Sequence, residues 1–289
     1  MVIAKHSKNN LQLALDICRG QWLVANAEAL LPIALDFLSH IPPQVEAVDF
    51  TPTAFASDSF GRSALTDGAS PGQKCVVVIP MHGTITKYDT CTSTGTTTIS
   101  AELLRLAADK NVVGVVLDID SGGGACNAIP PMVAAISKVK AMGKPIVAHC
   151  DFCASAAYWI ASQCDAVFAD NNMSEFGSIG VMVQILDSRV NRDGEKVITI
   201  YANESTDKNL SYRKALDGDF SLIKEEMSPI VQDFHTAVKA GRENLKFDAP
   251  GVLSGAVFRA AKAIDLGLAN AMLDLDGTVE NVFARATYK

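Results

Sequence analysis

"VVGVVLDIDSGGGACNAIPPMVAAISKVKAMGKPIVAHC", residues 112–150, reads as one strand–helix–strand unit. The run VVGVVLDID is apolar at nearly every position and stops at three glycines. A helical pattern, IPPMVAAISKVKAMG, follows, and KPIVAHC resumes as a second apolar strand. A strand apolar throughout, without alternation, is buried on both faces, which is the habit of parallel sheets covered by helices. The crossover between such strands is right-handed by default. Outward from this unit the pattern repeats. Upstream lie the β-branched run CVVVIPMHGTI (75–85), a threonine-rich stretch, and the helix SAELLRLAADK (100–110). Downstream lie the helix ASAAYWIASQC (154–164), the short strand AVFAD (166–170), GSIGVMVQIL (177–186) and a strand VITIYA (197–202). A polar loop, an amphipathic helix over Ser221–Asn244 and the segment LSGAVFRAAKAIDLGLANAML (253–273) complete the chain. The expected fold class is α/β with a mostly parallel sheet.

Residues 11–40 carry two stretches of helical periodicity divided by Gly20 and restarted by Asn26, a good N-cap, so residues 1–40 are expected to form an N-terminal helical arm. Residues 41–73 are dense in Pro, Ser, Gly and Asp without sustained period and read as a flexible linker; the domain proper is expected over 74–289. The chain has 289 residues, 48% hydrophobic and 20% charged, which suffices for a large core. Its net charge of −7 offers no basic field for a nucleic acid or an anionic membrane. The start, MVIAKHSKNN, lacks a signal peptide's apolar centre, and no run approaches the roughly 18 apolar residues of a membrane span. Seven scattered cysteines are an odd set, read as reduced thiols, and the expected setting is a cytoplasm.

Chemistry is sought at strand ends, where backbone amides are free. Gly122, Gly123 and Gly124 let a ligand approach the backbone and offer N–H donors to developing negative charge. Ser155 follows a strand and begins a helix, so its hydroxyl lies near a positive helix end, where it is either an N-cap or a nucleophile. A serine nucleophile needs a base. His6, His40 and His235 are poorly placed for it, and His82 and His149, in or beside strands, read as packed or surface residues. Lysine is the other choice, provided burial brings its pKa from about 10.4 towards about 7–8, at about 1.36 kcal/mol per unit. Lys208 is the candidate, with Lys196 and Lys214 as competitors. Cys150 and Cys153 have the spacing of a redox or zinc half-site but no second pair of ligands, and Cys126 has no evident base. No metal and no cofactor is expected, since neither phosphate-loop glycine pattern is present.

The motifs VVVIPMHGTI, DIDSGGG, CASAAYWIASQCDAVFAD, GSIGV and LSGAVFRAAKAIDLGLA stand in an order and spacing that resembles the signal peptide peptidase A family of serine/lysine peptidases, related in fold to Clp protease and crotonase. The resemblance covers roughly residues 75–275 and implies a Clp/crotonase-like fold of repeated ββα/βαβ units. The chain looks most like the phage head protease branch, of the lambda minor capsid protein C type. The resemblance implies Ser155 as nucleophile, Lys208 as general base, Gly123 and Ala156 as oxyanion donors and Ser178 as the hydroxyl that orients the lysine. Asn209 after the lysine and Gly122 in place of the family's proline depart from the pattern. The activity implied by the resemblance is that of a serine endopeptidase acting on scaffold or capsid proteins, or on itself, during prohead maturation. A homo-oligomeric ring in the host cytoplasm or a prohead is implied with it, without nucleic acid or membrane. Two other readings stand beside it: a catalytically silent head protein of the same fold, and a crotonase-like acyl-CoA enzyme.

Overall fold

The computed structural model describes residues 22–24, 50–58, 61–65, 73–90, 93–185 and 198–288. The central strands are β4 (Cys75–His82), β5 (Val112–Ser121) and β7 (Ile146–Ala154), all parallel. Between them run α1 (Thr96–Ala108) and α2 (Ile129–Ala141), the latter started by prolines in its first turn, where a missing N–H costs nothing. The strands are apolar at most positions because both faces are covered. Val77, Ile79, Met81, Leu117 and Ile119 enter a large core with Leu103 of α1 and Met132 and Ile136 of α2. Val76, Val78, Val116 and Val147 point the other way, against Val279 and Val282 of α7 (Leu275–Thr287). Each such fully buried side chain contributes about 1.5–3 kcal/mol.

Beyond β7 the sheet forks. The first part of β7 pairs with β8 (Ala166–Ala169), Val147 to Cys150 standing opposite Ala166 to Ala169. Its last part, Phe152 to Ala154, pairs with β9 (Glu175–Gly177). Both pairings are parallel; β10 (Val257–Arg259) closes one edge antiparallel to β9, and β11 (Ala271–Met272) adds to β8. α3 (Ala156–Ser162) leaves the end of β7, and α5 (Ser221–Gly241) packs on it, with Phe234 stacked on Trp159 at 4.6 Å between ring centroids. The short α4 (Leu210–Leu216) precedes α5, and α6 (Ala260–Leu266) follows β10.

The mostly parallel α/β sheet is as expected; two local readings differ, and one lies largely outside the described residues. Within the stretch read as linker, β2 (Thr53–Asp58) and β3 (Gly61–Leu65) form a hairpin that joins the sheet antiparallel to β4. The sheet extends there because Thr53 to Ala56 lie along the β4 edge. Of the arm expected over 1–40, the described residues are β1 (Trp22–Val24), a strand, and the two helical stretches lie outside the described residues. The strand expected over 197–202 is irregular from 198 onward, with Ile198 and Ile200 exposed: its alternation finds no neighbouring edge. Among the described residues no helix is long and apolar enough to cross a membrane.

Candidate active site

Ser155 sits at the strand-to-helix turn between β7 and α3 with φ 57° and ψ −122°, a conformation L-residues avoid. The turn is held from both sides: the Ser155 amide donates to the Gly177 carbonyl at 2.8 Å, and the Ser155 carbonyl accepts from the Trp159 amide at 3.0 Å. The residue is buried, yet its hydroxyl does not cap the helix and makes no hydrogen bond within the described residues. The capping reading is thereby removed. The Ala156 amide is the first of α3 and has no carbonyl a turn behind it to bond, so it is a donor left for a ligand.

The glycine run forms β6 (Gly123–Ala125), which α3 contacts. Gly123 has φ 103°, its carbonyl accepts from Ile85 at 2.9 Å, and its amide donates to Ser121 Oγ at 3.1 Å. Ser121 in turn donates to the Gly83 carbonyl at 2.5 Å. Gly124 is a packing requirement, since a Cβ there would stand 2.0 Å from the Ile85 carbonyl oxygen. The outer edge of β6 receives β1, antiparallel, with Val24 opposite Gly123 and Trp22 opposite Ala125. An extended segment of polypeptide thus lies along the glycine strand.

Ser178 follows Gly177, whose carbonyl holds the Ser155 amide, and has φ 52° with its own amide bonded to Ala256 at 2.8 Å. The fold therefore brings Ser155, Ala156 and Ser178 to one turn, with the strand of Gly123 against the helix that starts there. Lys208 is elsewhere in kind: it lies in an exposed turn before α4, its amide bonded to the Ser205 carbonyl at 3.3 Å, and its ammonium meets no described partner. Lys214 pairs with Asp219 at 3.6 Å, and Lys196 lies outside the described residues. The described cysteines are free thiols; burial pushes Cys126 up to about 12, which removes it as a nucleophile at neutral pH.

The model of peptidase family S49 matches residues 138–288, which contain Ser155, Ser178 and Lys208. The chain belongs to peptidase family S49. Among curated S49-like relatives, the head-tail preconnector protein GP5 of Enterobacteria phage P21 is 30% identical over 64% of this chain and 37% of its own length. Protease 4 of Haemophilus influenzae is 26% identical over 67% and 32%. A putative signal peptide peptidase SppA of Enterococcus faecium is 25% identical over 74% and 64%. The chain thus spans about a third of the length of the first two. Among solved structures, the 1510-N membrane-bound stomatin-specific protease aligns with TM-score 0.40 at 15% identity over 70% of this chain and 77% of that one. An enoyl-CoA hydratase from Shewanella pealeana aligns with TM-score 0.42 at 12% identity over 74% and 71%.

One polar cluster on the central sheet was not evident from the sequence. On the α7 face, His149 Nδ1 meets Asp118 Oδ1 at 2.8 Å, His149 Nε2 meets Asp170 Oδ1 at 3.1 Å, and His82 Nε2 meets Asp118 Oδ2 at 3.1 Å. Burial alone would raise Asp118, but the hydrogen bonds from His149 and His82 outweigh it and hold the carboxyl well below its ordinary range. Burial likewise opposes the His149 charge, and Asp118 and Asp170 together win, so its pKa is raised. The hydrogen bond that His82 donates to Asp118 raises the pKa of His82. A signal existed: Asp118 and His149 stand at partner positions of adjacent strands, which puts them on one face once the register is known.

Proposed function

We propose that this chain is a serine endopeptidase in which Ser155 attacks a peptide carbonyl. The observation that carries the reading is the Ser155 turn: a strained, uncapped hydroxyl beside a free helix-start amide and a glycine strand. Ser155 Oγ bonds to the carbonyl carbon as its proton passes to a neutral lysine amine. The oxyanion takes hydrogen bonds from Ala156 and Gly123, the latter exchanging its Ser121 contact for the oxyanion. Collapse expels the amine, which takes the proton back, and water then releases the acyl group. The antiparallel seat of β1 on β6 favours an extended peptide over an acyl-CoA.

Lys208 fits the role of base only if its ammonium loses water. Exposed in one chain, it gains that burial from a neighbouring copy, so the dyad is completed across a subunit boundary in a homo-oligomer. The substrates we propose are scaffold or capsid proteins, with self-processing as a further outcome; similarity to a phage head-tail preconnector protein supports a setting in a phage head. The test is casein hydrolysis by wild type, Ser155→Ala, Lys208→Ala and an equimolar mixture of the two variants. Each variant alone is expected to be inactive. A shared dyad restores activity in the mixture, towards about a quarter of wild type if subunits mix at random. Equal hydrolysis by wild type and both variants would reject Ser155 and Lys208 as the dyad, and no hydrolysis by wild type would favour a silent head protein, the reading that the exposure of Lys208 otherwise favours.

A further inference from the structure

The polar cluster on the α7 face lies where the sheet forks, and the fork is where the Ser155 turn is built. β7 gives up β8 after Cys150 and takes up β9 at Phe152, so the chain from Asp170 to Ser174 must cross the gap. That crossing is tied down at each step. The Asp170 amide donates to the Cys150 carbonyl at 2.9 Å, Asn171 Nδ2 donates to Asp170 Oδ2 at 2.7 Å, and Asn171 Nδ2 and Ser174 Oγ both reach Asp151 Oδ1 at 3.4 Å. Only two residues of β9, Glu175 and Phe176, separate it from Gly177, whose carbonyl holds Ser155. His149 anchors the near end. Ionised carboxylates only accept hydrogen bonds, so a ring bonded at both nitrogens to Asp118 and Asp170 carries both protons. With a side chain 7% exposed, this cation persists because two carboxylates compensate its burial.

We propose that His149 is a positioning residue for Ser155: its imidazolium, held between Asp118 and Asp170, fixes the Asp170–Ser174 crossing and through β9 the turn that presents the hydroxyl. The inference rests on the serine peptidase reading of Ser155 and adds a residue to it. The groups facing the ring are Asp118 from β5 and Asp170 from the end of β8. His82 of β4 shares Asp118, Asp120 acts on His82, and α7 presents Thr278, Val279 and Val282 to the sheet. A neutral ring keeps one N–H and can serve one carboxylate. Asp118 retains His82, and Asp170, with a side chain 34% exposed, takes water instead, so the crossing is released. The raised pKa of His149 places this release above the ordinary histidine range of about 6.5, as pH rises.

The experiment is amide hydrogen exchange over residues 170–178 in the full chain across a pH series, corrected for intrinsic rates, with casein turnover measured alongside. Wild type is expected to lose protection over 170–178 as pH rises through the His149 titration. His149→Gln and Asp170→Asn are expected to exchange about 5–10-fold faster there at low pH, with that pH dependence gone. Turnover by His149→Gln falls about tenfold in kcat, with KM within about twofold of wild type. Asp170→Asn, altered at a partly exposed position, decides the matter if His149→Gln fails to fold. Exchange over 170–178 that matches wild type in the folded variants overturns the proposal, as does altered exchange with unchanged kcat. A wild type that cleaves nothing, yet shows the expected exchange response, removes the peptidase reading and keeps the brace.

Discussion

Ser155 holds the backbone pair φ 57°, ψ −122°, which is the first central position of a type II′ turn and the natural place of a glycine. A side chain is kept there at a cost of about 1–3 kcal/mol. Ser155→Gly is therefore expected to abolish casein hydrolysis while raising the urea midpoint, by about 1 kcal/mol of stability. A drop in the midpoint would show that the turn is not strained. Gly124 has the opposite lesson. Its Cβ would meet the Ile85 carbonyl, so Gly124→Ala is expected to lose about 1–3 kcal/mol and to weaken peptide hydrolysis as β6 shifts. Cys126, held near 12 by burial, is expected to leave activity intact under iodoacetamide at neutral pH, assayed by residual turnover. The turn at Ser155 was legible from sequence because a lone serine between an apolar strand and a helix is a local pattern, whereas its role as nucleophile is implied by the family resemblance. Lys208 stays a proposal: burial and partner of a loop lysine are set by contacts that its neighbours in sequence do not specify.

At the scale of elements, long apolar strands and helices announced themselves, and three-residue strands did not. β5, α2 and β7 each fill a window in which period and composition agree. β6, β9 and β10 are three residues each, too short for any period, and they are the pieces that complete the site. The His149 bridge was hidden for a related reason: its partners lie 31 and 21 residues away, and only the register of β5, β7 and β8 brings them together. α3 carries Ser155 at its start and is steadied from behind. Phe234 of α5 stacks on Trp159 with 9° between the rings, and Tyr158 donates to the Leu268 carbonyl at 2.9 Å. Phe234 is fully buried, so Phe234→Ala is expected to cost about 3–5 kcal/mol in chemical denaturation and to lower kcat along with it.

Over the whole molecule, stability should vary with pH in a direction that the buried cluster sets. His149 is raised, so its contribution is complete below the ordinary histidine value of about 6.5 and is lost as pH climbs through the folded value. Asp118 is lowered, so its contribution is complete above the ordinary carboxylate value of about 3.9 and is lost as pH falls through its folded value. The cluster therefore stabilises the fold most between about pH 4 and 6.5. Urea midpoints taken across that range and beyond it, in wild type and His149→Gln, are expected to differ most inside the window and to converge on the alkaline side.

The seat of Trp22–Val24 on Gly123–Ala125 means that this edge of the glycine strand already has a tenant from its own chain. On the proposed peptidase reading, an incoming polypeptide that pairs with β6 would have to evict those residues before aligning with the Ser155 turn, and the eviction would be felt as weaker apparent affinity with no change in the chemical step. Leu23→Pro, which cannot donate in the ladder opposite Gly124, is expected to lower KM for a fluorogenic peptide at constant kcat. Latency of this kind would let the molecule be made and assembled first, and begin cutting only when a competing strand is abundant nearby.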